Sequence, residues 1–290
     1  MFKGIYTALI TPFSDGKIDE KAFQDLVEWQ ISEGVHGLVP CGTTGESPTL
    51  THEEHNRLVD LCVEASAGRV PVLAGTGSNS TQEAVMLTKH AKKAGASGAL
   101  VVAPYYNKPN QEGVYQHYKA IQDAAELPII IYNIPGRSVI DITDDTLARL
   151  SELPNIAGVK DATGDLARPY HLRVKMKKNL HLLSGEDMTA VAFNASGGVG
   201  CISVTSNIMP KRCAEVQEAC LAGDYKKALE LHDSMIPLHQ ILFAETSPGP
   251  VKFAASLLNK CKGDLRLPLV EPSENCKTQI TEVLKNLRLI

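Results

Sequence analysis

Eight short apolar runs, separated by segments whose apolar residues recur at helical spacing, constrain this chain more than any other feature. The runs lie near Ile5 to Ile10, Gly37 to Pro40, Val70 to Ala74, Ala99 to Ala103, Ile129 to Tyr132, Ile156 to Lys160, Leu180 to Ser184 and Val199 to Val204. That alternation is the mark of a parallel α/β fold. Helix starts are signalled by Asp19 before Ala22, Phe23 and Leu26, and by two capping boxes, Thr51 with Glu54 and Ser80 with Glu83. Further starts fall near Gln111, Thr143 and Asp165 and around Glu186. Eight strands with helical crossovers predict an α/β protein of the closed (β/α)8 TIM barrel class, and 290 residues suffice for one such core. Beyond the eighth run only helical patterning follows, punctuated by Gly223-Asp224 and by Ser247-Pro248-Gly249-Pro250. The expected division is a catalytic barrel over residues 1–224 and a C-terminal helical extension over residues 225–290.

Composition excludes several classes. The formal net charge of −4 arises from 29 basic and 33 acidic residues mixed along the chain, with no basic patch for nucleic acid or an anionic membrane. No run reaches transmembrane length, and the first apolar run, broken by Thr7, Thr11 and Pro12, is too short for the core of a signal peptide. Seven cysteines without a Cys-x-x-Cys pair fit a reduced compartment, so a cytoplasmic location is expected. Cys213 and Cys220 share a helical face but have no nearby histidine partner, which points to the core and to no metal site.

Barrel active sites lie where strands end, so the closing residues of each run are the candidates. The sixth run, which begins at Ile156, ends on Lys160. An ammonium at the mouth of an apolar core is costly, desolvation favours the neutral amine, and a neutral amine attacks carbonyls to form a Schiff base. The alternative is a lysine that reaches out to solvent and pairs with Asp161. The second run opens into Cys41-Gly42-Thr43-Thr44-Gly45-Glu46-Ser47, where two glycines, consecutive amides and two hydroxyls offer donors to a small anion such as a carboxylate. No lysine of a nucleotide-binding loop is present, and a helix-capping turn is the other reading. Tyr105 and Tyr106 follow the fourth run, and Tyr132 closes the fifth. A phenol bonded to the Thr43 hydroxyl can relay protons, although any one tyrosine there can also serve as rim filler. Arg137, in Ile134-Pro135-Gly136-Arg137, suits capture of a carboxylate.

Taken together, Gly42-Thr43-Thr44-Gly45-Glu46, Tyr105-Tyr106-Asn107, Tyr132-Asn133-Ile134-Pro135-Gly136-Arg137 and Val159-Lys160-Asp161-Ala162-Thr163-Gly164 carry a resemblance. The chain resembles the N-acetylneuraminate lyase family of class I aldolases, and within it the dihydrodipicolinate synthase branch. The likeness extends through Ser184-Gly185-Glu186-Asp187, Gly198 to Val204 and Pro250-Val251-Lys252. It implies that Lys160 forms an imine with pyruvate and that the resulting enamine attacks L-aspartate 4-semialdehyde. The product is a hydroxylated tetrahydrodipicolinate on the route to L-lysine. It further implies a proton relay of Tyr132, Thr43 and Tyr106, with Tyr106 supplied across a subunit interface. Thr44, with Thr43, matches the pyruvate carboxylate loop, and Gly185 and Ile202 line the lysine pocket. A homotetramer built as a dimer of dimers, without metal or organic cofactor, is the implied assembly. Sialic acid lyases of the same family carry serine then threonine in the glycine loop and lack the arginine, so Thr43, Thr44 and Arg137 favour the synthase branch. A catalytically silent barrel would expect a broken triad, and a nicotinamide-dependent barrel a dinucleotide fingerprint that Gly75-Thr76-Gly77 does not complete.

A second cluster stands apart from that chemistry. Ser47, His52 and His55 follow the glycine loop, Asn79 and Glu83 follow the third run, and Tyr105 precedes Tyr106. By their own spacing, His52 and His55 read as solvated residues of a capped helix. The resemblance implies instead an inhibitory L-lysine site, since lysine-sensitive members carry this set, although Pro48 departs from the small residue some of them have there.

Overall fold

The structure, a computed structural model, describes residues 2–290. Eight parallel strands form one barrel: β1 (Gly4–Ala8), β2 (Gly37–Val39), β3 (Leu73–Gly75), β4 (Gly98–Val102), β5 (Ile129–Asn133), β6 (Ile156–Asp161), β7 (His181–Ser184) and β8 (Gly200–Ser203). β1 pairs with both β2 and β8, and the remaining neighbours follow chain order. A bridge between Leu38 and Val72 joins β2 to the start of β3 and closes the ring. A two-residue antiparallel ribbon, Phe13–Ser14 with Lys17–Ile18, follows β1.

Helices α1 (Glu20–Ser32), α2 (His52–Ser66), α3 (Thr81–Ala94), α4 (Gln111–Ala125), α5 (Asp144–Ser151), α6 (Arg168–Lys175), α7 (Ala190–Ala195) and α8 (Pro210–Leu221) follow the strands in turn. Then come α9 (Tyr225–Asp233), α10 (Ile236–Ile241), α11 (Gly249–Leu257) and α12 (Glu274–Asn286). Asp19 caps α1 as its position suggests, and Thr51 and Glu54 form both halves of a capping box on α2. The box expected at Ser80 and Glu83 is only half made. Ser80 Oγ accepts from Glu83 N at 3.4 Å, but the Glu83 carboxylate goes to His52 and Ser78, and Ser80 N donates to Ser78 Oγ instead. Two other starts fall later than expected. α6 begins at Arg168 because Asp165 takes the Ala167 N–H in a turn, and α7 begins at Ala190 after Glu186 takes that of Met188.

Two apolar layers hold the barrel. Tyr6, Val39, Leu73, Leu100, Ile130, Leu183 and Ile202 fill its interior, while Ile5, Leu38, Ala74, Val101, Ile129, Ile131 and Val159 face the helices. Adjacent residues on one strand thus serve opposite faces, which is why these runs are continuously apolar and do not alternate. Cys213 and Cys220 are buried on α8 in the outer layer. None of the described helices is long and apolar enough to cross a membrane.

Two of the buried histidines, His55 and His117, are held as neutral rings. His55 on α2 bonds the Gly75 carbonyl at 2.8 Å, His117 on α4 meets Thr81 Oγ1 at 2.9 Å, and burial pushes both down to about 4. An unfolded histidine titrates near 6.5, so between these values the unfolded chain binds more protons. Their contribution is therefore complete above the unfolded value and falls as pH drops toward the folded one, by at most about 3 kcal/mol per ring. The urea midpoint is expected to fall on acidification from about pH 7 to about pH 4.5, with a shallower slope in His117→Phe. Equal pH slopes in the variant and the parent would contradict the assignment.

Candidate active site

Lys160 owes its direction to an irregularity in β6. Ile129 pairs with Ile156 but Ile130 pairs with Gly158, so β6 carries one extra residue before the register resumes with Ile131 against Val159 and Tyr132 against Lys160. Because side chains alternate along a strand, a one-residue offset exchanges the two faces. With it, Val159 packs among the helices and Lys160 stands beside Tyr132. The amine lies 4.0 Å over the Tyr132 ring, and Lys160 and Tyr132 are both only 6% exposed. Lys160 does not reach out to solvent beside Asp161, as one reading of the sequence had it. The Asp161 carboxylate is engaged by Thr163 N at 2.8 Å and Thr163 Oγ1 at 2.6 Å, and burial raises its pKa against those bonds.

A buried arginine ties the ends of β5 and β6 together. Arg168 Nη1 donates to Asp141 at 2.7 Å, its Nη2 bonds the Ile142 carbonyl, and its Nε lies 3.2 Å from Asp144 and 3.5 Å from Asp161. Asn133, directly after Tyr132, donates to Asp141 at 2.8 Å and accepts from Ile142 N at 3.1 Å. Tyr132 and Lys160 are thus each followed by a residue fixed in one polar net. On the other side, Gly185 closes against the lysine: a Cβ there would lie 2.7 Å from Ala162 Cβ, 3.0 Å from Asp161 O and 3.1 Å from Lys160 Cε. Ile202 on β8 is buried in the interior layer with Tyr132. Glu186 follows Gly185, and burial raises its pKa, with Lys160 opposing the rise.

The glycine loop is folded on itself. Gly45 N donates to Gly42 O and Glu46 N to Thr43 O, both at 3.1 Å, and Thr11 Oγ1 holds the Gly45 carbonyl at 2.7 Å. Thr44 is 5% exposed, while Thr43 lines a cavity of about 220 Å³ together with Ser47, Tyr105, Ile134 and Arg137. Arg137 sits on a short helical turn, Pro135–Ser138, where its exposed guanidinium reaches the Ser247 carbonyl at 3.5 Å. Of the expected relay members, Tyr132 stands beside the lysine, Thr43 lines the neighbouring cavity, and Tyr106 is turned outward. It is 89% exposed, with a left-handed backbone at φ 73°.

Behind the same rim the second cluster assembles in part. His52 Nε2 meets Glu83 Oε1 at 2.6 Å, Ser78 bonds the other Glu83 oxygen, and these bonds hold the Glu83 carboxyl below its usual range. Tyr105 is raised by burial and by Glu83, against bonds from Asn79 backbone and Ser78. Asn107 Nδ2 donates to the Asn79 carbonyl at 2.9 Å. His55 is no solvated helix residue: it is buried beneath the rim.

Three residues with evident roles were given none from the sequence. Arg168 and Asp141 gave no signal, being ordinary charges in a loop-rich stretch. Lys252 did, because it stands alone in the apolar run Pro250-Val251-Lys252-Phe253-Ala254-Ala255, the same anomaly that marks Lys160. Its ammonium is fully buried against Glu46 at 2.7 Å, and burial lowers its pKa against the pull of that carboxylate.

Comparison with known proteins agrees with this geometry. A model of the Dihydrodipicolinate synthetase family matches residues 1–287. The chain is 62% identical over 290 residues to the 4-hydroxy-tetrahydrodipicolinate synthase of Rhodospirillum centenum, covering 100% of both sequences. Among solved structures it matches the chloride-inhibited dihydrodipicolinate synthase of Acinetobacter baumannii complexed with pyruvate, at TM-score 0.98, 45% identity and full coverage of both chains. It also matches the enzyme of Cyanidioschyzon merolae with lysine bound, at TM-score 0.96 and 36% identity, covering 100% of this chain and 99% of the other.

The contact between Gly185 and Lys160 yields a direct test. Gly185→Ala forces the new methyl group against Ala162 and the lysine side chain. A displacement of the amine of this kind is expected to slow trapping of a bound keto acid by borohydride by about tenfold or more. Unchanged trapping would show that Gly185 does not constrain the lysine.

Proposed function

This chain belongs to the dihydrodipicolinate synthetase family, and from that premise we propose that Lys160 is the residue on which its reaction takes place. The activity is that of 4-hydroxy-tetrahydrodipicolinate synthase, a lyase of the class I aldolase type in the diaminopimelate route to L-lysine. Lys160 Nζ adds to the ketone of pyruvate and water leaves, forming an imine. Loss of a methyl proton gives the enamine, whose carbon attacks the aldehyde carbon of L-aspartate 4-semialdehyde. Closure by the amino group of the semialdehyde then releases the lysine amine. The observation that carries this reading is the burial of Lys160 on the interior face with its amine over the Tyr132 ring.

Thr43 and Thr44 hold the pyruvate carboxylate, and the Tyr132 phenol passes protons through Thr43 and Tyr106. Gly185 and Ile202 shape the pocket, and Arg137, at the mouth of the cavity that Thr43 lines, takes the carboxylate of the semialdehyde. The exposure of Tyr106 supports completion of the relay by a neighbouring copy, hence a dimer as the smallest complete unit and a dimer of dimers as the assembly. The barrel unit spans residues 1–224, the helical extension residues 225–290, and the location is cytoplasmic. Arg137→Ala is expected to raise the KM for the semialdehyde by about tenfold or more and that for pyruvate far less, because one substrate alone loses a charge-assisted contact. Equal effects on both KM values would move Arg137 out of this role.

The rim cluster is the L-lysine site. Glu83 takes the ammonium, and Tyr105, Asn79 and Ser47 bond the remaining polar ends, with His52 holding Glu83 in place and His55 beneath. Support comes from the Glu83 carboxylate, already drawn to that rim by His52 and Ser78, and from the lysine-bound Cyanidioschyzon merolae enzyme. Tyr105 adjoins Tyr106, so occupancy there disturbs the relay, with a coupling on the order of 1 to 3 kcal/mol. Millimolar L-lysine is expected to inhibit the wild type and to lose its effect on Glu83→Ala. Inhibition of equal strength in both would remove this site.

A further inference from the structure

One fully buried ion pair stands outside the groups assigned so far. Glu46 Oε1 accepts from Lys252 Nζ at 2.7 Å, and both side chains are 0% exposed. The second carboxylate oxygen accepts from Arg266 N at 3.1 Å. Lys252 lies 4.3 Å over the Phe13 ring and the Arg266 guanidinium 4.4 Å over the same ring. Arg266 continues outward in a bidentate pair with Glu54 on α2, at 2.6 Å for each bond, and bonds the Thr49 carbonyl at 2.9 Å. The last third of the chain therefore grips the glycine loop at one carboxylate.

The loop needs such a grip. Cys41 and Glu46, which bracket Gly42 to Gly45, both have left-handed backbones at φ 56°, a conformation that residues with side chains adopt only when their surroundings hold them there. At Glu46 that hold is its own side chain, with one partner on α11 and one just beyond it. Stability alone is a weak reason to bury the pair, since apolar residues of similar volume commonly serve as well. Fixing one loop conformation is a role that an apolar contact without direction fills poorly.

We propose that Glu46 and Lys252 are positioning residues for the substrate carboxylate: their ion pair fastens α11 to the glycine loop and holds Thr43 and Thr44 where the carboxylate binds. The inference rests on the reading of that loop as the pyruvate carboxylate site. Two variants separate positioning from mere stability. Glu46→Gln combined with Lys252→Met removes both charges and leaves none stranded. Glu46→Asp keeps the charge, accepts the left-handed backbone readily and shortens the tether by one methylene. Both are expected to raise the pyruvate KM, by about tenfold in the double variant and about threefold in Glu46→Asp, with the semialdehyde KM within about twofold of the parent. Thr44→Val, which takes a hydroxyl directly from the loop, is expected to raise the pyruvate KM in parallel. A parental pyruvate KM in Glu46→Asp, or in the folded double variant, overturns the positioning role while a raised KM in Thr44→Val leaves the loop reading intact. A parental pyruvate KM in Thr44→Val overturns the loop reading and the inference with it. If the double variant fails to fold, Glu46→Asp alone decides.

Discussion

The structure depends on keeping a lysine amine inside the rim of a barrel, away from bulk water and, among the described residues, without an ion pair of its own. Burial of an ammonium is unfavourable by several kcal/mol unless something faces it. Here that partner is the face of Tyr132, 4.0 Å away. Asp161, adjacent in sequence, is turned to Thr163 and Arg168 and does not quench the amine. The extra residue in β6 sets all this in place, because it exchanges the faces of Val159 and Lys160. Gly185 completes the arrangement by lacking the methyl group that the space between Ala162 and the lysine stem could not hold.

Two tethers keep the surroundings of that amine in register. Arg168, with Asp141 and Asn133, braces the end of β5 and lies 3.5 Å from Asp161 at the end of β6. Glu46 and Lys252 fasten the glycine loop to the C-terminal helices. The second is a fully buried charge pair, the type whose breakage is costly, and in the first a buried arginine meets a half-exposed carboxylate. The glycine loop and the lysine are thereby held by different parts of one chain, while Tyr106 is turned outward.

The barrel was legible because each strand, covered on both faces, reads as a continuous apolar run, and because caps such as Asp19 and Thr51 mark helix starts by a local mechanism. Lys160 was legible as a charge closing such a run. For the same reason the offset at Ala157 was not: in a run apolar throughout, an extra residue leaves no trace in the pattern. Ser80 and Glu83 fit a capping box, yet the carboxylate serves a histidine on the preceding helix, a tertiary choice that spacing cannot express. Lys252 displayed the same anomaly as Lys160, a lone lysine among apolar residues, and its partner Glu46 lies too far away in sequence for any local rule to pair them. The orientation of Tyr106 depends on a strained φ of 73° that the dipeptide Tyr105-Tyr106 does not announce.

The central claim is that Lys160 is the amine that takes up the keto acid. Borohydride reduction of the enzyme in the presence of pyruvate, followed by peptide mass mapping, tests it without reliance on any variant. The account predicts irreversible inactivation with the reduced pyruvyl group on the peptide that contains Lys160 and on no other. Inactivation with the label on a different lysine, or retention of activity with no label at all, would contradict it.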